Sequence, residues 1–152
     1  MIARIFRAVW FLSLLAVTAT LLYQYASFPQ AVTLLEDQEN TLTLSNEAVF
    51  YVALGCIAII NVLIFPVSFV SKDNTFKAWF FGLITTLNIF LIISLSFISL
   101  YNSGEKYEYT RLERIIQGSL GLILIWSLLW PALWSYRKIS RKSTVADQVT
   151  SS

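Results

Sequence analysis

The chain has no histidine, one cysteine and one methionine among its 152 residues, and each shortage removes a class of chemistry. Without histidine, and with Met1 as the sole methionine, the usual protein ligands for haem, zinc and copper are missing. A Ser-His-Asp or Cys-His catalytic arrangement is excluded within the chain. The lone Cys56 allows neither an intrachain disulfide nor a dithiol redox couple, and it reads as a small buried hydrophobe. Charge is scarce as well, at 13% of residues against roughly 25% in soluble domains.

What is abundant is uninterrupted hydrocarbon. Residues 5–25, 48–70, 78–101 and 115–136 form four apolar runs, with Arg7, at the edge of the first, their only charged residue. Each has the roughly 20 residues that a helix needs to cross a hydrocarbon layer of about 30 Å. Hydrophobic residues make up 57% of the chain, which leaves too little polar surface to wrap a water-soluble globule. The expected fold is an all-α membrane protein: an antiparallel four-helix transmembrane bundle over residues 1–137, then a basic and finally disordered tail over residues 138–152.

The basic residues orient this bundle. Arg4, Arg7, Lys72, Lys77, Arg137, Lys138, Arg141 and Lys142 fall on one side, and only Lys106, Arg111 and Arg114 on the other. The preference of Lys and Arg for the cytoplasmic side then predicts a multi-pass protein of the cytoplasmic (inner) membrane with both termini inside. Cleavage of the first run as a signal peptide is disfavoured, because the best junction, after Ala26, sets Gln24 where a small residue is wanted.

Polar residues inside the runs are few and patterned. Asn61 and Asn88 lie at nearly equal distances from the tight inside turn of residues 71–76, so an antiparallel helix pair brings both amides to one depth, where they can hydrogen-bond. Gly82, Thr85, Asn88, Ser96 and Ser99 share about a third of one helix circumference, and Thr85 is expected to join the polar contact. Ala8, Ala16, Ala19 and Ala26 on the first span, and Gly118 and Gly121 on the fourth, are expected to allow close helix packing. Pro66 and Pro131 should each bend a span near its inside end. Trp126, Trp130 and Trp134 recur every fourth residue, roughly opposite Gly118 and Gly121, so with the glycines inward the tryptophans face lipid or a partner. Trp10, Trp79, Trp130 and Trp134 suit an interfacial belt; Trp126 is too deep for one, and ordinary packing within the bundle is preferred for it over contact with a partner or a lipid tail.

Outside the membrane, residues 31–35 and 41–44 are β-prone around an acidic turn, which predicts a short outer β-hairpin with Ser45 or Asn46 capping the second span. Glu36, Asp37 and Glu39 form an acidic outer loop, read as solvated because no EF-hand ligand register is present. Arg137, Lys138, Arg141 and Lys142 are expected to hold the last helix against anionic lipid at roughly 1 kcal/mol per charge.

The first span continuing into Tyr25-Ala26-Ser27-Phe28-Pro29-Gln30-Ala31-Val32 resembles the start of a bacterial membrane domain of unknown function. That domain is found in proteins similar to immunity factors against secreted killing peptides, where an aromatic residue, an aliphatic residue plus proline and a short extracytoplasmic segment follow the first helix. The pattern there continues with a second proline and a histidine, whereas this chain has Thr33 and Leu34. The remainder is similar to small bacterial four-span proteins without an assigned activity. Together these features lead to a non-enzymatic accessory or interaction component of a bacterial membrane, docking through the Trp126 face or the outer hairpin. A receptor or immunity-like module at the acidic loop is one alternative, and a facilitator for an apolar solute using Asn61 and Asn88 is another. The expected partners are membrane lipid and another membrane protein; no nucleic acid, cofactor or metal is expected.

Overall fold

The computed structural model describes residues 2–36, 41–103 and 114–132. Its elements run α1 (Ile2–Ser27), β1 (Ala31–Glu36), β2 (Thr41–Ser45), α2 (Asn46–Val62), α3 (Ile64–Val70), α4 (Asn74–Asn102) and α5 (Arg114–Ala132). With α2 and α3 counted as one kinked span, four helices are long and apolar enough to cross a membrane.

Local chemistry sets most boundaries. The first helix stops just before Phe28 and Pro29, where the proline ring disfavours helical backbone at the preceding residue. Ser45 caps α2, its hydroxyl accepting from the Ala48 amide at 3.2 Å, and Glu47 sits in the favourable first turn. Asp73 caps α4 in the same way, accepting from the Thr75 amide at 2.8 Å. The second span breaks at Leu63, which keeps right-handed helical angles, so the chain kinks without turning back. Pro66 explains the position, since it lacks the N–H that would reach the Val62 carbonyl.

Helices α1 and α4 make the most extensive helix pair and run parallel, with Trp10 beside Phe81 at one end and Leu21 beside Leu95 further along. Packing on α1 follows the helical period through Phe6, Trp10, Ser13, Val17, Leu21 and Gln24, all buried or half-buried. Ala8, Ala16, Ala19 and Ala26 lie on the exposed side, contrary to the expected close-packing stripe. The larger residues win that face because dispersion grows with contacting atoms, and an alanine stripe offers few. On α4, residues 81–88 are buried almost all round, so this helix forms the centre; Gly82, Thr85 and Asn88 are buried as the small and polar stripe requires, but Ser96 is exposed.

The core has three apolar layers. Val17, Leu21, Ile57 and Leu95 fill the middle, Ile64, Phe81 and Ile84 the tight-turn end, and Phe28, Val32 and Val49 the hairpin end. Strands β1 and β2 pair antiparallel, Val32 opposite Leu44 and Thr33 opposite Thr43, with a bulge between Thr33 and Leu35. Val32 is completely buried, so the hairpin rests its apolar face on the bundle. That contact supplies what an isolated two-stranded hairpin lacks in water.

Candidate functional site

Between the middle and tight-turn layers, four polar side chains from three helices close on one another. Asn61 donates from Nδ2 to the Asn88 Oδ1 at 2.9 Å and to the Ile57 carbonyl at 2.8 Å. Asn88 donates back from Nδ2 to the Asn61 Oδ1 at 3.1 Å and to the Ser13 hydroxyl at 3.0 Å. The Trp10 indole N–H also donates to Asn61 Oδ1, at 2.8 Å, and Ser13 donates to the Trp10 carbonyl at 2.7 Å. Both amide hydrogens of each carboxamide are therefore used, and Asn88 has no exposed surface at all. Saturation of this kind makes a lock and leaves no donor free to meet a solute. Thr85 is buried nearby, but its hydroxyl donates to the Phe81 carbonyl one turn back on its own helix, so it adds no bond between helices.

The tryptophans overturn the expectation that the α5 glycines pack inward, and Trp126 packs within the bundle rather than facing a partner or lipid. Trp126 donates from its indole to the Trp79 carbonyl at 3.0 Å, and Trp79 donates to the Trp126 carbonyl at 2.8 Å. The Trp126 ring lies over Gly82, where a methyl group would stand 2.8 Å from Cε2, and it approaches Phe6 at 6.1 Å between ring centres. Trp130 packs on Phe76 at 5.2 Å and on Trp79 at 5.9 Å. Trp126 and Trp130 thus turn inward, while added Cβ atoms at Gly118 and Gly121 would meet nothing within 4 Å. A deep indole must place its N–H on an acceptor, and a neighbouring helix carbonyl provides one; its large area then takes the packed face from glycine. The legible signal was on the other helix, where Gly82 follows Trp79 by three residues and leaves room for a ring.

At the hairpin end a carboxamide again joins two elements. Asn102 accepts the Thr33 amide at 2.7 Å and donates to the Thr33 carbonyl at 2.9 Å, engaging the outer edge of β1 where its register slips. Asn46 donates to the Tyr25 carbonyl at 3.1 Å, and its own amide reaches the Gln30 carbonyl at 3.1 Å. Two buried oxygens here, Gln24 Oε1 and Asn46 Oδ1, have no hydrogen-bond partner among the described residues. Beneath the hairpin, α2 and α4 leave a cavity of about 180 Å³ whose accessible surface is apolar, lined by Val52, Ala53 and Cys56 on α2, Leu91, Ser94 and Leu95 on α4, and Leu34 and Leu44 on the strands. Cys56 is exposed there and not, as the sequence suggested, a buried hydrophobe.

Among the described residues no three His, Cys, Asp or Glu side chains gather where a metal ion could sit. Glu36 ends β1, whereas Asp37, Glu39, Trp134, Arg137, Lys138, Arg141 and Lys142 lie outside the described residues, as do the acidic turn and the tail. Comparison of the chain with family models, curated proteins and solved structures finds no match.

Proposed function

We propose that this is a non-enzymatic integral membrane protein of a bacterial cytoplasmic membrane, an accessory component that docks another membrane protein through its hairpin. The observation that carries the reading is the mounting of that hairpin. Asn102 grips both backbone groups of Thr33, and the layer of Phe28, Val32 and Val49 seats the strands, while Thr41, Leu42 and Thr43 stay exposed. An ordered strand held rigidly at one end of a spanning bundle loses little conformational entropy on meeting a partner. The tryptophan face has no share in this, because its indoles are engaged within the bundle.

Both termini belong on the cytoplasmic side in this reading. Arg4, Arg7, Lys72 and Lys77 sit at the tight-turn end, and the hairpin occupies the other. The test is extraction in mild detergent of the wild type and of a Leu42→Asp/Thr43→Asp variant. A stoichiometric companion retained by the first and lost by the second is the expected result. A companion bound equally by both, or none with either, removes the hairpin as the docking element.

A receptor or immunity-like module is the second reading, favoured by the clustering of Glu36, Asp37 and Glu39 in the sequence that joins β1 to β2. Reversing these three charges abolishes capture of a basic peptide if this reading holds and leaves it intact if docking runs through Thr41–Thr43.

A further inference from the structure

We infer that the cavity between α2 and α4 is a seat for a single alkyl chain of a membrane lipid, closed on one side by the hairpin. The inference rests on the membrane reading above and goes beyond it in naming a ligand and its site. Water is unsuited, because a buried water needs two or more polar partners and this wall offers none.

The chain's own loop over residues 104–113 carries Glu105, Lys106, Glu108, Arg111 and Glu113, the wrong chemistry for a hydrocarbon wall. An unbranched alkyl chain matches the polarity, and in the membrane reading it is the surrounding medium. The space exceeds the roughly 150 Å³ apolar cavity that stays dry and admits benzene, so an occupant recovers dispersion contacts that the lining otherwise forgoes. The cavity opens at the bundle surface, where Val52 and Cys56 of its lining are exposed, so a chain can enter from the side. Its head group then lies beside the hairpin that roofs the site with Leu34 and Leu44.

The test is native mass spectrometry of protein extracted from membranes in mild detergent, with dioleoyl phosphatidylglycerol as the added probe. Ala53→Phe fills the cavity from its lining, whereas Ile59→Phe adds bulk on the exposed side of the same helix. The wild type and Ile59→Phe retain one lipid, and Ala53→Phe loses at least tenfold in occupancy without a lower unfolding midpoint. Equal retention by Ala53→Phe overturns the assignment. An unsubstituted readout stands beside it: alkylation of Cys56 by N-ethylmaleimide slows at least fivefold as the probe saturates the wild type, and an unchanged rate overturns the assignment as well. A chain that disperses without detergent defeats the membrane reading instead, so the two failures are separable.

Discussion

The two ends of the bundle are held by different chemistry. At the tight-turn end, Phe6, Trp10, Phe76, Trp79, Phe81, Trp126 and Trp130 interleave rings, and each of the indoles of Trp10, Trp79 and Trp126 donates to a partner on another helix. At the hairpin end, aliphatic side chains and a clamp of amides do the holding; an open cavity remains, and two buried oxygens lack partners among the described residues. Filled packing with satisfied donors favours one arrangement. Open apolar space and unpartnered acceptors leave room for something else to bind, which is why the candidate sites fall at the hairpin end.

The sharpest way to break this contrast is at the boundary between the two halves. Asn88→Leu deprives the Asn61 amide and the Ser13 hydroxyl of their partner at a fully buried position, at a cost of about 2–3 kcal/mol by thermal unfolding in detergent. Asn61→Leu/Asn88→Leu should cost less than the sum of the two single changes, because neither carboxamide is then left facing a missing mate. A strictly additive pair would show that the two amides do not act as a unit.

Next in size is the tight-turn end. Gly82→Ala drives a methyl group into the Trp126 indole and should cost about 1–3 kcal/mol through overpacking, with a change in tryptophan fluorescence as the paired indole bonds part. Asn102→Ala should cost about 1 kcal/mol and act locally, speeding hydrogen exchange at the Thr33 amide while leaving the tryptophan emission unchanged. Smallest is Gly118→Ala, expected within about 0.5 kcal/mol of wild type because nothing lies within reach of the new methyl group. A large loss there would mean that α5 packs through its glycines after all.

Much of the architecture can be read from sequence because its signals are long or local. The four apolar runs give the four long apolar helices, Ser45 gives the start of α2, and the β-prone segments on either side of the acidic turn give the hairpin. Which face of a helix turns inward was harder to read. In a bundle whose helices are apolar on every side, small residues and large rings compete for the interior, and the outcome depends on the shape of the neighbouring helix. Gly82 admits the Trp126 ring, so Gly118 turns outward and neither α5 glycine packs closely on a neighbour, a relation that no single-helix pattern contains. The Asn102 clamp escaped for a related reason: it joins residues 69 positions apart and depends on a bulge in β1. The cavity is a property of how α2 and α4 separate below the hairpin, and no residue type announces it.

The central claim is that the hairpin and the turn between α3 and α4 lie on opposite sides of a membrane. It is tested by introducing one cysteine at Thr41 or at Lys72 in a Cys56→Ser background and treating intact bacterial cells with a membrane-impermeant maleimide. The account predicts rapid labelling at position 41, and labelling at position 72 only after the cells are permeabilised. Labelling of both positions in intact cells, or of position 72 alone, would contradict it.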